Sequence, residues 1–269
     1  MIIDFHTHIF PDKLAEKTIK ILEAKGGSKA FTSGTRLELV NSMKDACIDC
    51  SIILPVLTKP EQFKTINEFA VKLNEKYDGI NDVKLISFGG IHPDSSNYKY
   101  ELREIANMGL KGIKLHPDYQ ETMFDDIKYM HIIDYASELG LIIIAHAGLD
   151  IGYPNHVHCT PQAARKVIDE VAPEKLVLAH LGGYKRWDDV EEYLVGQNVY
   201  LDTAFIYNAI TREQFLRILK NHGESKVLYA TDSPWSGHKE SIEWFDNMKL
   251  SNETLDKILY KNALELLKI

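Results

Sequence analysis

Two histidines one residue apart, His6 and His8, end the first apolar run of the chain, and later apolar runs end in His92, His116, His146, His180, Asp202 and Asp232. Alternate side chains of a strand share a face, so His6 and His8 should point one way while Phe5 and Thr7 point the other. Imidazoles and carboxylates gathered from the ends of separate strands are the donors that hold a catalytic divalent cation. A lone strand-end histidine is more often a hydrogen-bonded structural residue. Here six of the 11 histidines share that position, which favours a metal site.

Such a site needs a scaffold that ends many strands at one face. Eight apolar, β-branched runs recur at fairly even intervals, at 2–5, 51–54, 85–88, 112–115, 141–145, 176–179, 199–201 and 227–230. Between them lie segments of helical spacing, at 61–77, 98–107, 127–139, 161–171, 188–194 and 212–221. Several runs, such as 141–145, are apolar at every position, as strands buried on both faces of a parallel sheet must be. The alternation predicts an α/β fold, a (β/α)8 TIM barrel of the usual size of about 250 residues. A doubly wound open sheet is the competitor, but no glycine-rich phosphate loop follows the first strand. With no low-complexity linker or shift in composition, one domain over residues 1–269 is expected. A helical insertion at 11–25 follows strand 1, ends in Gly26-Gly27-Ser28, and precedes a partner helix near 35–46. That insertion and the Gly-, Pro-, Asn- and His-rich stretch 148–160 leave C-terminal strand ends, where a barrel keeps its active site, and are candidate lids.

Asp4-Phe5-His6-Thr7-His8, Gly112-Ile113-Lys114-Leu115-His116-Pro117, Ala145-His146-Ala147-Gly148, Ala179-His180-Leu181-Gly182-Gly183 and Thr231-Asp232-Ser233-Pro234-Trp235 follow one another over almost the whole chain, down to Asn262-Ala263-Leu264. The series resembles the strand-end motifs of the amidohydrolase superfamily, and more narrowly its amidohydrolase-related branch of aminocarboxymuconate-semialdehyde decarboxylase-like enzymes. The resemblance implies that His6, His8, His146 and Asp232 are metal ligands and that Asp232 also handles a proton. It implies that His180 stays off the metal and polarises or protonates the substrate. One Zn²⁺ is the expected cofactor, although three nitrogens and one oxygen also suit Mn²⁺, Fe²⁺ and Co²⁺. In binuclear members a lysine on the fourth strand is carboxylated and bridges two metals; in mononuclear ones it is unmodified, and Lys114 is read as an unmodified anchor of a hydrogen-bond network. Barrels of this family often pair, which allows for a homodimer.

Substrate contacts are expected from His116, Arg36, Tyr119, Arg186 and Trp235, which follow the strand ends. An arginine among them would clamp a carboxylate in bidentate fashion. His92, followed by proline, is read as structural. His156, His158 and Cys159 share a loop that makes a poor metal site, and substrate contact is the better reading. Cys47 and Cys50 match a C-x-x-C spacing, but no second pair completes four ligands, so both are expected to be buried packing residues.

Composition narrows the partners to a small-molecule substrate. A formal charge of −8 with dispersed lysines and arginines repels phosphate backbones, and no run approaches the roughly 20 apolar residues of a membrane span, so neither nucleic acid nor membrane is expected. Three cysteines cannot form a complete disulfide framework, and the N-terminal residues lack the features of a secretory signal; a cytoplasmic enzyme is the reading. The leading expectation is a hydrolase that opens an ester, lactone or amide with metal-activated water, Asp232 taking the proton and His180 polarising the carbonyl. The alternative is nonoxidative decarboxylation of an aromatic or muconate-type acid, which would call on Arg36 or Arg186 to hold the substrate. A noncatalytic metal- or ligand-binding barrel is a third reading, and the completeness of the set argues against it, because a binding protein has no need of both a proton acceptor and an off-metal imidazole.

Overall fold

The computed structural model describes residues 1–76 and 83–269. Its parallel strands are β1 (Ile3–Thr7), β2 (Cys50–Ile53), β3 (Lys84–Ser87), β4 (Gly89–Gly90), β5 (Gly112–Leu115), β6 (Ile142–Ala145), β7 (Leu176–Leu178), β8 (Tyr200–Asp202) and β9 (Val227–Leu228). Pairing runs β1-β2-β3 and then β4 through β9 in order. β3 and β4 flank Phe88, whose amide still donates to Ile53 O at 2.9 Å, so together they form one stave of eight. The ring closes where the Phe5 amide meets Tyr229 O at 2.9 Å and the Asp232 amide meets His6 O at 2.8 Å. The fold is a TIM barrel, as the sequence predicts.

The every-position apolar strands follow from two cores. Ile142, Ile144, Val177, Phe88 and Leu228 fill the inside with Ala263, Leu266 and Leu267, whereas Ile143, Ala145, Leu176 and Leu178 belong to the larger cluster they share with the surrounding helices. Those helices are α1 (Asp12–Gly26), α2 (Arg36–Asp45), α3 (Phe63–Lys76), α4 (Tyr98–Asn107), α5 (Ile127–Glu138), α6 (Pro161–Val171), α7 (Trp187–Tyr193), α8 (Arg212–His222) and α9 (His238–Met248). A C-terminal run, α10 (Asn252–Asp256), a π-helical turn and α11 (Asn262–Leu267), follows. Threonine hydroxyls start several of them, Thr35, Thr160 and Thr211 each accepting from the amide three residues on. Residue 77, the end of the helix expected at 61–77, lies outside the described residues.

One expectation is corrected at β1. The register against β2 slips between Asp4 and Thr7, so Phe5 packs inside the barrel with Ile3 while His6 also faces inward. Such a bulge breaks strict alternation and re-aims side chains beside active sites. Asp4 holds this end in place, accepting from the His6 amide (3.1 Å), the Thr231 amide (3.0 Å) and the Thr231 hydroxyl (2.5 Å), and so ties β1 to the segment that carries Asp232. A second correction concerns the cysteines. Cys50 is buried in β2, but Cys47 is exposed in a left-handed turn after α2.

Both candidate lids lie at the C-terminal strand ends. Lys25 of α1 stands 3.3 Å from the ring centre of Tyr153 and 5.0 Å from that of Tyr119, tying the insertion to the loops after β6 and β5. The loop after β6 is held by Gly148, with φ 86°, where a Cβ would meet the Tyr184 amide nitrogen at 2.0 Å; only glycine permits that approach.

Candidate active site

His6, His8 and Asp232 bring one ligand atom each to within 4.8 Å of the others. His6 Nε2 and His8 Nε2 are 3.1 Å apart, and Asp232 Oδ1 is 3.4 Å from the first and 3.2 Å from the second. Donors about 2.1 Å from a tetrahedral centre lie about 3.4 Å from one another, so the spacing fits a divalent cation. Hydrogen bonds also fix the tautomers. His6 Nδ1 donates to Asp202 Oδ2 at 2.8 Å and His8 Nδ1 to Leu54 O at 2.7 Å, which leaves both Nε2 lone pairs aimed at the centre. Burial pushes the His6 imidazole well below its ordinary pKa, so it is neutral, as a ligand must be.

His146 lies beside this group but clusters more closely with His116 and Asp150. Its Nδ1 is 3.0 Å from His180 Nε2, and His180 Nδ1 donates to Ala204 O at 2.9 Å. His180 Nδ1–H leaves its Nε2 as the acceptor of that pair, so His146 Nδ1 donates and its own Nε2 carries the lone pair. That Nε2 is buried without a hydrogen-bond partner, as is Asp118 Oδ2, 3.7 Å away. A buried imidazole nitrogen with no hydrogen-bond partner is free to ligate a cation. His180 as placed therefore orients His146 rather than presenting an N–H to the pocket. His116 differs in tautomer: its Nδ1 accepts from the Tyr119 amide at 3.4 Å, so Nε2 carries the proton and faces Asp150 Oδ2 at 3.5 Å. His116 Nε2–H and Asp150 Oδ2 thus face each other, and with His146 they also bring one ligand atom each to within 4.8 Å of the others. Burial raises the Asp150 carboxyl to about 6.

Lys114 is fully buried at the base, and its Nζ donates to His6 Nε2 at 3.1 Å. Burial brings its ammonium down to about 8, with Asp202 and Asp232 opposing. Asp202, wholly buried, accepts through Oδ1 from the amides of His180 (2.9 Å) and Ala204 (3.0 Å), so one carboxylate orients the first ligand and the β7 turn together. His180, Phe205 and Asp232 all have positive φ, a backbone strain that gathers at this end of the barrel.

These groups line a polar floor of about 80 Å³, with Trp235, Tyr119 and Tyr184 on its walls. Through His8, Leu22, His116, Tyr119 and Asp150 it adjoins an apolar chamber of about 390 Å³. Of the expected substrate contacts, His116, Tyr119 and Trp235 are on these walls and the arginines are not. Arg186 pairs with Asp189, Nε to Oδ2 2.8 Å, because the acidic first turn of α7 lies three residues away. Arg36 begins α2, away from both cavities. His92 accepts the Asp94 amide at 3.1 Å, a structural role, His158 donates to Asp118 Oδ1 at 2.9 Å, and His156 is exposed. Asp118, Asp150 and the role of Asp202 were missed by sequence reasoning. The signals available were a carboxylate two residues after His116, one in the flagged loop after His146, and one at a strand end.

A profile of the amidohydrolase family matches residues 3–269. No curated protein matches the chain. Among solved structures, an uncharacterized TIM-barrel protein from Bordetella bronchiseptica superposes with a TM-score of 0.76 at 19% identity, over 99% of this chain and 98% of that one. A dihydroxybenzoic acid decarboxylase from Polaromonas sp., with bound manganese and the inhibitor 2-nitroresorcinol, gives 0.73 at 15% identity, over 99% and 96%. A probable 2-pyrone-4,6-dicarboxylic acid hydrolase from Acinetobacter baumannii, with citric acid bound, gives 0.68 at 15% identity, over 100% and 99%. At such identities the structural likeness is one of fold. The family match spans every strand end that carries the site, and this chain belongs to the amidohydrolase family, as an enzyme of that superfamily.

Proposed function

We propose that residues 1–269 form one catalytic domain, a nonoxidative, metal-dependent decarboxylase of a small aromatic or unsaturated acid. One observation carries this reading: among the described residues that line the two cavities, the ligand histidines, Lys114, Asp232, His116 and Asp150 all stand at the floor, and the larger, apolar room adjoins it on one side. A substrate so held presents one terminal group to the chemistry. Hydrolysis of an open-chain ester or amide parts a substrate in two and needs room on both sides of the bond; loss of a terminal carboxyl does not. The manganese-containing decarboxylase of like fold supports this order of preference over the hydrolase expected from sequence.

His6, His8 and Asp232, with His146 beside them, would hold the divalent metal, Mn²⁺ or Zn²⁺. When bound it draws electron density from the substrate's carboxyl and adjoining oxygen. Lys114 supplies the cation expected of an arginine. The bond from carbon to carboxyl breaks, its electron pair stays on the substrate carbon, and carbon dioxide leaves. The proton that replaces it comes from the pair His116 and Asp150, whose Nε2 and Oδ2 are 3.5 Å apart. A reducing, cytoplasmic setting suits the three free cysteines.

A second reading, lactone hydrolysis, fits the same shape because a lactone opens without parting; there Asp232 accepts the proton of the attacking water. The test is to incubate metal-reconstituted protein with aryl and α,β-unsaturated monoacids and with lactones, following carbon dioxide and ring opening. Carbon dioxide release, lost in Asp150→Asn, is the expected result. Ring opening without carbon dioxide would give the second reading, and neither would sink both.

A further inference from the structure

The floor leaves the larger chamber beside it unexplained. Phe10 after β1, Leu22 of the insertion, Val56 after β2, and Ile66 and Phe69 of α3 are only half-buried and face this void. Among the described residues no lysine, arginine or glutamate lines it, and its one carboxylate, Asp150, stands where it adjoins the floor. A second charge on a ligand's far end would be desolvated there without a partner. The chamber adjoins the floor at five shared lining residues, so a substrate held at the floor has the chamber beside it.

We propose that the chamber is a tail site for the substrate's own apolar body, and that the enzyme selects monoacids with a long alkyl or fused aryl portion over dicarboxylic or polyhydroxylated ones. The inference rests on the reading above only in placing the reacting carboxyl at the floor. A dry cavity of about 150 Å³ takes a benzene. At about 390 Å³ the chamber takes a body roughly two and a half times that size. The insertion after β1, which supplies one wall, thereby sets chain length.

The experiment is calorimetric titration of the metal-reconstituted full chain with benzoate, 4-butylbenzoate, 4-octylbenzoate and terephthalate. Affinity should rise about fourfold per methylene until the chamber fills, and terephthalate should gain nothing over benzoate. Ile66→Trp should lower the octyl-to-benzoate affinity ratio at least tenfold, and Phe69→Ala, which enlarges the chamber, should move the plateau to longer tails. Equal affinities along the series, or a preference for terephthalate, would overturn the inference. So would a dimer that Ile66→Trp dissociates with no tail preference in either form, since the walls would then belong to a second copy of the chain. Tail-dependent binding without carbon dioxide release would instead overturn the decarboxylase and leave the chamber standing; release from short acids without tail preference would do the reverse.

Discussion

Replacing Asp202 by asparagine should uncouple the metal site from the fold. The Oδ1 of Asp202 accepts two buried amides, at 2.9 and 3.0 Å, and Oδ2 accepts His6 Nδ1–H at 2.8 Å. An asparagine has one acceptor oxygen. Turned toward His6, it would strand both amides at about 1–3 kcal/mol each, so it turns toward the amides and offers its NH₂ to His6. The imidazole then answers with an Nδ1 lone pair, moving its proton to Nε2, the nitrogen whose lone pair the cation needs. Restoring the ligand tautomer means forgoing a hydrogen bond to a charged acceptor, about 1.5–3 kcal/mol, or about 10- to 100-fold in metal dissociation constant, the usual loss when a ligand's supporting partner is removed. Competition with a chromogenic chelator reads the affinity, and thermal unfolding of the metal-free variant reads the fold. Asp202→Ala, which strands the same two amides, should instead lower stability by about 2–6 kcal/mol. Wild-type metal affinity, within threefold, in a folded Asp202→Asn would refute the tautomer argument.

Other perturbations separate site from scaffold. Gly148→Ala should lose about 2 kcal/mol or more in denaturant unfolding, since the new Cβ collides with backbone at positive φ; a neutral result would mean that the loop carrying Asp150 moves freely. Arg186→Ala should leave turnover within twofold and stability within about 1 kcal/mol, because its partner is the partly exposed Asp189; a large loss of turnover would return it to the pocket. His222 is held below its ordinary pKa by burial, while its Nε2 donates to Val199 O at 2.9 Å. The folded chain binds that proton less readily than the unfolded chain, so this stabilisation is complete above about pH 6.5 and is lost as pH falls toward the folded-state value. Urea midpoints at pH 7.5 and 5.5 should show the decline, and His222→Gln should reduce it; an unchanged slope would assign it elsewhere.

The barrel was legible because its strands are buried on both faces, so runs such as Ile142–Ala145 announce themselves without alternation. The strand-end histidines were legible for the same reason, as polar residues closing apolar runs. The β1 bulge was not, since register is set by the β2 partner and leaves no mark within Asp4-Phe5-His6-Thr7-His8. Nor was the split between His146 and His180, one buried nitrogen orphaned and the other satisfied, because it depends on the Ala204 carbonyl across a strand gap. Arg186 was misjudged although Asp189 stood three residues on, within ordinary helix reach. Asp118 and Asp150 lie in loops whose course only the packed barrel decides, and a carboxylate in a loop reads as solvated until burial is known.

The central claim is that His6, His8 and Asp232, with His146, hold one divalent cation. Elemental analysis of metal per chain, on the wild type and on Asp232→Asn, His146→Ala and Asp150→Asn after reconstitution with Mn²⁺ or Zn²⁺, tests it directly. One equivalent in the wild type and in Asp150→Asn, lost in Asp232→Asn and His146→Ala, is the predicted result. Metal retained without Asp232, or a second equivalent that Asp150→Asn removes, would contradict it.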